Sequence, residues 1–142
     1  MTTATLNGID VYYEQRGAGQ RLLFLNGSGA TLATVAPLVD VYAAQFELLA
    51  HDQRGLGRTS IPDGPYSMAD YAEDAAALAA HVGWDSYRVV GTSFGGMVGR
   101  SSRARTPSGS SASRCSAPHR AAPAASRIRS TRSPPRPPKP AP

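Results

Sequence analysis

The first 99 residues predict an α/β domain, a mostly parallel sheet flanked by helices, and three observations carry that expectation. Short apolar runs alternate with stretches whose apolar residues recur at three- and four-residue steps. Each apolar run after the first ends in a cluster of glycine and small polar residues. The composition also breaks at Gly99: residues 1–99 hold five basic against ten acidic residues, and residues 100–142 hold ten basic and none acidic. The net charge of +5 for the 142-residue chain therefore averages two unlike segments and does not argue for an anionic partner.

The elements follow in order. Between Thr5 and Glu14, apolar residues flank Asn7-Gly8, a pair that tolerates positive φ and predicts two short antiparallel strands joined by a tight turn. Leu22-Leu23-Phe24-Leu25 is a solid apolar run, as expected of a strand buried on both faces. From Leu32 to Gln45 the spacing of Leu32, Val35, Ala36, Val39 and Tyr42 predicts a helix. Phe46 to Ala50 reads as the next strand, followed by His51-Asp52-Gln53-Arg54-Gly55-Leu56-Gly57-Arg58. Ser67 with Asp70 three positions on forms a capping box for an alanine-rich helix from Met68 to His81, which Gly83 closes. Tyr87-Arg88-Val89-Val90 is a strand that runs into Gly91-Thr92-Ser93-Phe94-Gly95-Gly96.

That last junction carries the chemistry. A serine on a sharp strand-to-helix turn sits in strained backbone and needs small residues two before and two after it, which Gly91 and Gly95 supply. Its hydroxyl then stands above the sheet, beside the free N–H groups that open the next helix. The surrounding polar residues have plainer readings. Asp52 and Arg54 are expected to pair or to cap a loop, His51 and His81 to be packed or solvated, and Trp84 to fill the core.

Three blocks occur in the order of a known family: Asn26-Gly27-Ser28-Gly29, Asp52-Gln53-Arg54-Gly55-Leu56-Gly57-Arg58-Thr59-Ser60 and Gly91-Thr92-Ser93-Phe94-Gly95-Gly96. With them, residues 1–99 resemble the N-terminal portion of an α/β-hydrolase, closest in pattern to the branch of enol-lactonases, esterases and cofactor-free peroxidases. The resemblance implies Ser93 as nucleophile, the backbone N–H groups of Ser28 and Phe94 as the oxyanion hole, and Gly91 and Gly95 as the elbow glycines. It implies small esters or lactones as substrates, with no cofactor and no metal. Asn26 stands where the family often has histidine, a departure that touches the shape of the loop.

The constellation is incomplete. An activated serine needs a histidine and an orienting carboxylate, which in this fold come after it in chain order. After Ser93 there is no Asp or Glu, and the one later histidine is His119. The chain is therefore expected to be truncated and inactive, and, with its core patterned for a longer chain and its last strand at an open edge, marginally stable.

Residues 100–142 contain ten serines, nine prolines and no aromatic residue, which predicts a disordered Arg/Ser/Pro/Ala-rich tail. An alternative reading makes the chain a non-enzymatic α/β fragment whose basic tail binds nucleic acid or an anionic surface. Scattered arginines without aromatic residues for stacking argue against nucleic acid. No apolar run is long enough to span a membrane. The N-terminus lacks a secretory pattern and Cys115 is the single cysteine, so the cytoplasm is the expected setting. Read one base out of register, permissible GC-rich codons for the start of the tail can spell QFARAHPERVERLALLCTSPGG, which is similar to the helix, turn and strand that come after the elbow in the family. A one-base loss near Gly99 is the expected origin of the tail. Sequencing the DNA downstream of the Gly95 codon tests this: the shifted frame should stay open, and stop codons there would end the idea.

Overall fold

The computed structural model of the chain describes residues 2–103. They form β1 (Thr2–Leu6), β2 (Ile9–Arg16), β3 (Arg21–Leu25), α1 (Ala36–Ala43), β4 (Glu47–His51), α2 (Met68–His81), β5 (Arg88–Gly91) and α3 (Phe94–Arg103). The tail expected over 100–142 lies outside the described residues from residue 104 onward, and residues 100–103 continue α3. Among the described residues no helix is long and apolar enough to cross a membrane.

Five strands form one sheet in the order β1-β2-β4-β3-β5. β4, β3 and β5 are mutually parallel, and β1 and β2 add an antiparallel flank. The flank begins at the Asn7-Gly8 turn, where φ of 50° and 78° places both residues in the left-handed region and Leu6 pairs with Ile9. β3 lies between β4 and β5, and its Leu22 to Leu25 run is buried throughout. Alternation divides that run between two cores. Leu23 and Leu25 pack with Leu49, Leu78, Trp84 and Val98 on the face covered by α2 and α3. Leu22 and Phe24 pack with Leu32, Val39, Leu48 and Ala50 on the face covered by α1. A strand with both faces occupied explains why the run has no polar interruption.

Two helices test the reading of local signals. α2 spans Met68 to His81 as expected, with Asp70 N–H donating to Ser67 Oγ at 3.2 Å and Ser67 N–H to Asp70 Oδ2 at 2.6 Å. At its far end Gly83 N–H reaches Ala80 O and Trp84 N–H reaches Ala79 O, a Schellman ending around left-handed Gly83. α1 departs from expectation: it starts at Ala36 and ends at Ala43, whereas the spacing predicts Leu32 to Gln45. Pro37 sets the late start: without an N–H it cannot donate to Ala33 O, so the turn over Thr31 to Val35, closed by Val35 N–H to Thr31 O at 3.1 Å and by Thr34 Oγ1 to Thr31 O at 2.9 Å, does not run on into the helix. Leu32 remains buried, which is why periodicity counted it as helical.

One buried ion pair ties the hairpin, the loop after β4 and α2 together. Arg54 donates from Nε to Asp74 Oδ2 at 2.7 Å and from Nη2 to Asp74 Oδ1 at 2.8 Å, and Asn7 Nδ2 adds a third bond to Asp74 at 3.0 Å. Asp74 is only 2% exposed, so losing its partner strands a carboxylate in the interior. Arg54 thus has the structural role that the sequence suggested. Replacing it by alanine should lower the free energy of unfolding by about 3–5 kcal/mol, against about 1 kcal/mol for Ser67→Ala at the exposed cap; urea denaturation of both variants checks the ranking.

Candidate active site

The site is built where the parallel strands end. β5 stops at Gly91 and α3 starts at Phe94, so only Thr92 and Ser93 make the reversal from strand to helix. Ser93 is exposed and has φ of 50°, a left-handed conformation that costs a side-chain-bearing residue about 1–2 kcal/mol. Three bonds hold it there: Thr92 N–H to Leu25 O at 3.1 Å, Gly95 N–H to Thr92 O at 2.9 Å and Gly96 N–H to Ser93 O at 3.0 Å.

The flanking glycines are sterically required. A Cβ on Gly91 would run into the backbone of Gly95 and Gly96, and one on Gly95 into the carbonyls of Leu25 and Asn26. α3 therefore sits directly against the end of β3. Phe94, its first residue, packs edge-on against Tyr71 with ring centroids 5.0 Å apart. The opening N–H groups of a helix have no acceptor inside it, so this end of α3 offers donors to negative charge.

The loop after β3 completes the geometry. Gly27 lies beside the elbow: a Cβ on it would be 3.5 Å from Thr92 Oγ1 and 3.9 Å from Ser93 Cβ. Ser28 is the next residue and is exposed. The structure thus brings Ser28 into the same neighbourhood as Gly91, Ser93, Phe94 and Gly95. Among the described residues no hydrogen bond joins the Ser93 hydroxyl to a histidine or a carboxylate.

The polar residues around the loop brace it. Asp52, 2% exposed, accepts from Leu32 N–H at 2.6 Å and from Arg58 N–H at 3.0 Å, which ties the loop after β3 to the loop after β4. Asn26 Nδ2 donates to His51 O at 3.2 Å, and Gln53 Nε2 donates to Asn26 O at 3.1 Å. Gln53 was given no role of its own from sequence; its signals were its place in the Asp52 to Ser60 block and a polar residue next to a buried strand. His81 lies exposed on α2 with its ring edge-on to Tyr13, and Trp84 fills the core, both in keeping with their plain readings.

His51 is buried at the end of β4, and its Nδ1 has no hydrogen-bond partner among the described residues. Burial pushes its imidazole down to about 4, against an upward pull from Asp74 and Asp52. Held neutral, it contributes stability in full above its ordinary value near 6.5, and this is lost as pH falls from there towards 4. The loss should reach about 3 kcal/mol and be absent from His51→Leu, as urea midpoints at pH 7, 5.5 and 4.5 would show.

Comparison with known proteins accords with this geometry. The family model for the alpha/beta hydrolase fold matches residues 20–110. RutD of Caulobacter segnis, whose name assigns it to carbamate hydrolysis, is 35% identical over 105 residues, which cover 70% of this chain and 39% of that protein. The soluble epoxide hydrolase of a Corynebacterium species is 32% identical over 95 residues, covering 67% of this chain and 33% of the relative. Among solved structures, the enol-lactonase from Burkholderia xenovorans LB400 superposes with a TM-score of 0.68 at 28% identity, over 73% of this chain and 42% of that one. The chain thus spans between a third and two fifths of the length of these curated relatives. With a left-handed serine between two sterically required glycines at the end of a parallel strand, and with a match over most of its described residues, the chain belongs to the alpha/beta hydrolase fold family.

Proposed function

We propose that the site hydrolyses small esters or lactones through Ser93. The observation that carries this reading is the exposed, left-handed serine at the two-residue turn between β5 and α3. Attack of Ser93 Oγ on a carbonyl carbon places negative charge on the carbonyl oxygen, where the N–H groups of Phe94 and Ser28 would receive it. Collapse expels the alcohol and leaves an acyl ester on Ser93, and water then releases the acid and restores the hydroxyl. The identity of the nucleophile separates this chemistry from that of some relatives. A serine that opened an epoxide would end as an ether, which water does not readily cleave, so Ser93 favours acyl substrates over epoxides. The enol-lactonase is one neighbour whose name fits that chemistry.

No carboxylate comes after Ser93, and His119 lies outside the described residues. His51, neutral down to about pH 4, binds protons too weakly to serve as a base at neutral pH. We therefore infer that this chain by itself turns over little, and that a frame shift near Gly99 replaced the segment that would carry the acid and base. A fluorophosphonate should label Ser93 in preference to the other serines, as located by peptide mass analysis, and Ser93→Ala should abolish the label. The rate should rise in proportion to hydroxide, because no histidine draws the proton away. Label spread over many serines would sink the nucleophile assignment, and a rate that levels off between pH 6 and 8 would reveal a working base.

A further inference from the structure

We propose that Gln53 is a positioning residue, which sets the direction of the oxyanion loop by holding the peptide between Asn26 and Gly27. The inference rests on the serine-nucleophile reading of Ser93. Gln53 is 2% exposed, and its side-chain amide donates to Asn26 O at 3.1 Å. That carbonyl also lies against the elbow, since a Cβ on Gly95 would lie 2.6 Å from it. It therefore touches both the Gln53 amide and the first turn of α3.

The orientation of this peptide plane governs the residues beyond it. The Asn26 carbonyl and the Gly27 N–H belong to one rigid unit, so a bond to the carbonyl also fixes the N–H. Gly27 comes next, is the most conformationally permissive residue type, and lies beside Ser93. The donor assigned to the oxyanion, Ser28 N–H, is one peptide further on. Three further bonds fix the surroundings: Asn26 Nδ2 to His51 O anchors the residue before Gly27, Ala30 N–H to Gly27 O at 3.2 Å closes a turn over the Gly27–Ser28 peptide, and Leu32 N–H to Asp52 Oδ1 pins the far end of the loop. Of the four, the Gln53 bond is the one that acts on the peptide entering Gly27. Without it that peptide can rotate, and the Gly27–Ala30 turn that carries Ser28 N–H tilts with it as a unit. Gln53 touches neither the substrate nor the reacting atoms in this scheme and acts only through the loop.

The test uses the full chain at pH 9 and compares phosphonylation of Ser93 by a fluorophosphonate and by its P=S analogue. In both, Ser93 Oγ displaces fluoride and negative charge grows on the phosphoryl oxygen or sulfur; sulfur accepts hydrogen bonds poorly. A formed oxyanion hole should raise the oxygen-to-sulfur rate ratio at Ser93 at least tenfold above that of a serine in a short peptide. Gln53→Met, which keeps length and burial but lacks the donor, should return the ratio to the peptide value. Ser67→Ala, which weakens the fold at a distant helix cap, should leave it unchanged. A Gln53→Met protein that keeps the wild-type ratio overturns the inference. Should that variant fail to fold, Gln53→Glu, which cannot donate at this pH, is judged by the same ratio, and failure of both to fold overturns the positioning role in favour of a purely structural one. A wild-type ratio no higher than the peptide's overturns instead the reading of Ser93 on which the inference stands.

Discussion

The backbone contact between Gly95 and the end of β3 governs the whole arrangement. With no side chain on Gly95, the first turn of α3 settles onto the carbonyls of Leu25 and Asn26. The helix can then start two residues after β5 ends, and a reversal that short forces Ser93 into the left-handed region with its side chain outwards. Gly91 meets the same constraint from the strand side, because the space a Cβ would take is filled by Gly95 and Gly96. A serine above a sheet, donors at a helix start and a neighbouring loop are thus consequences of one close approach, made possible by two residues without side chains.

The contact also explains where the fold tolerates polar burial. Asn26, His51, Asp52 and Gln53 are all at most 2% exposed and gather where β3 and β4 end. Buried polar groups weaken a core unless they are bonded. Here they are bonded: Gln53 to Asn26 O and Asp52 to Leu32 N–H run between the two loops, Asn26 reaches His51 O at the end of β4, and Asp52 to Arg58 N–H closes its own loop. The exceptions, Asn26 Oδ1 and His51 Nδ1, have no partner among the described residues. Such local compromises are expected where a rigid site is needed more than an ideal core.

The framework beneath relies on conventional packing. β3 feeds two cores from one apolar run, and the Arg54–Asp74 pair fastens the outer hairpin and α2 to the loop after β4. An ion pair spanning three segments resists the relative sliding that an apolar surface alone would allow. The loop after β4 therefore serves the fold on one side through Arg54 and the site on the other through Asp52 and Gln53.

Much of this was legible in the chain of letters, because the signals are local. Asn7-Gly8 specifies its turn by backbone preference, Ser67 with Asp70 and Gly83 bound α2 at both ends, and the Gly91 to Gly95 spacing marks the elbow. The solid Leu22 to Leu25 run announced a strand covered on both faces. Periodicity failed at Leu32 to Val35, where Leu32 is buried from a turn and Pro37, lacking an N–H, keeps that turn from joining the helix. The sequence by itself determined most of the elements and the tight turn at Ser93, since each depends on neighbours a few residues apart, and it shows directly that no Asp or Glu side chain comes after Ser93. Only the tertiary structure decided that Asn26, Asp52 and Gln53 form one brace and that Arg54 belongs to Asp74. Those partners are 20 to 27 residues apart, and nothing in local propensity encodes a hydrogen bond across that distance.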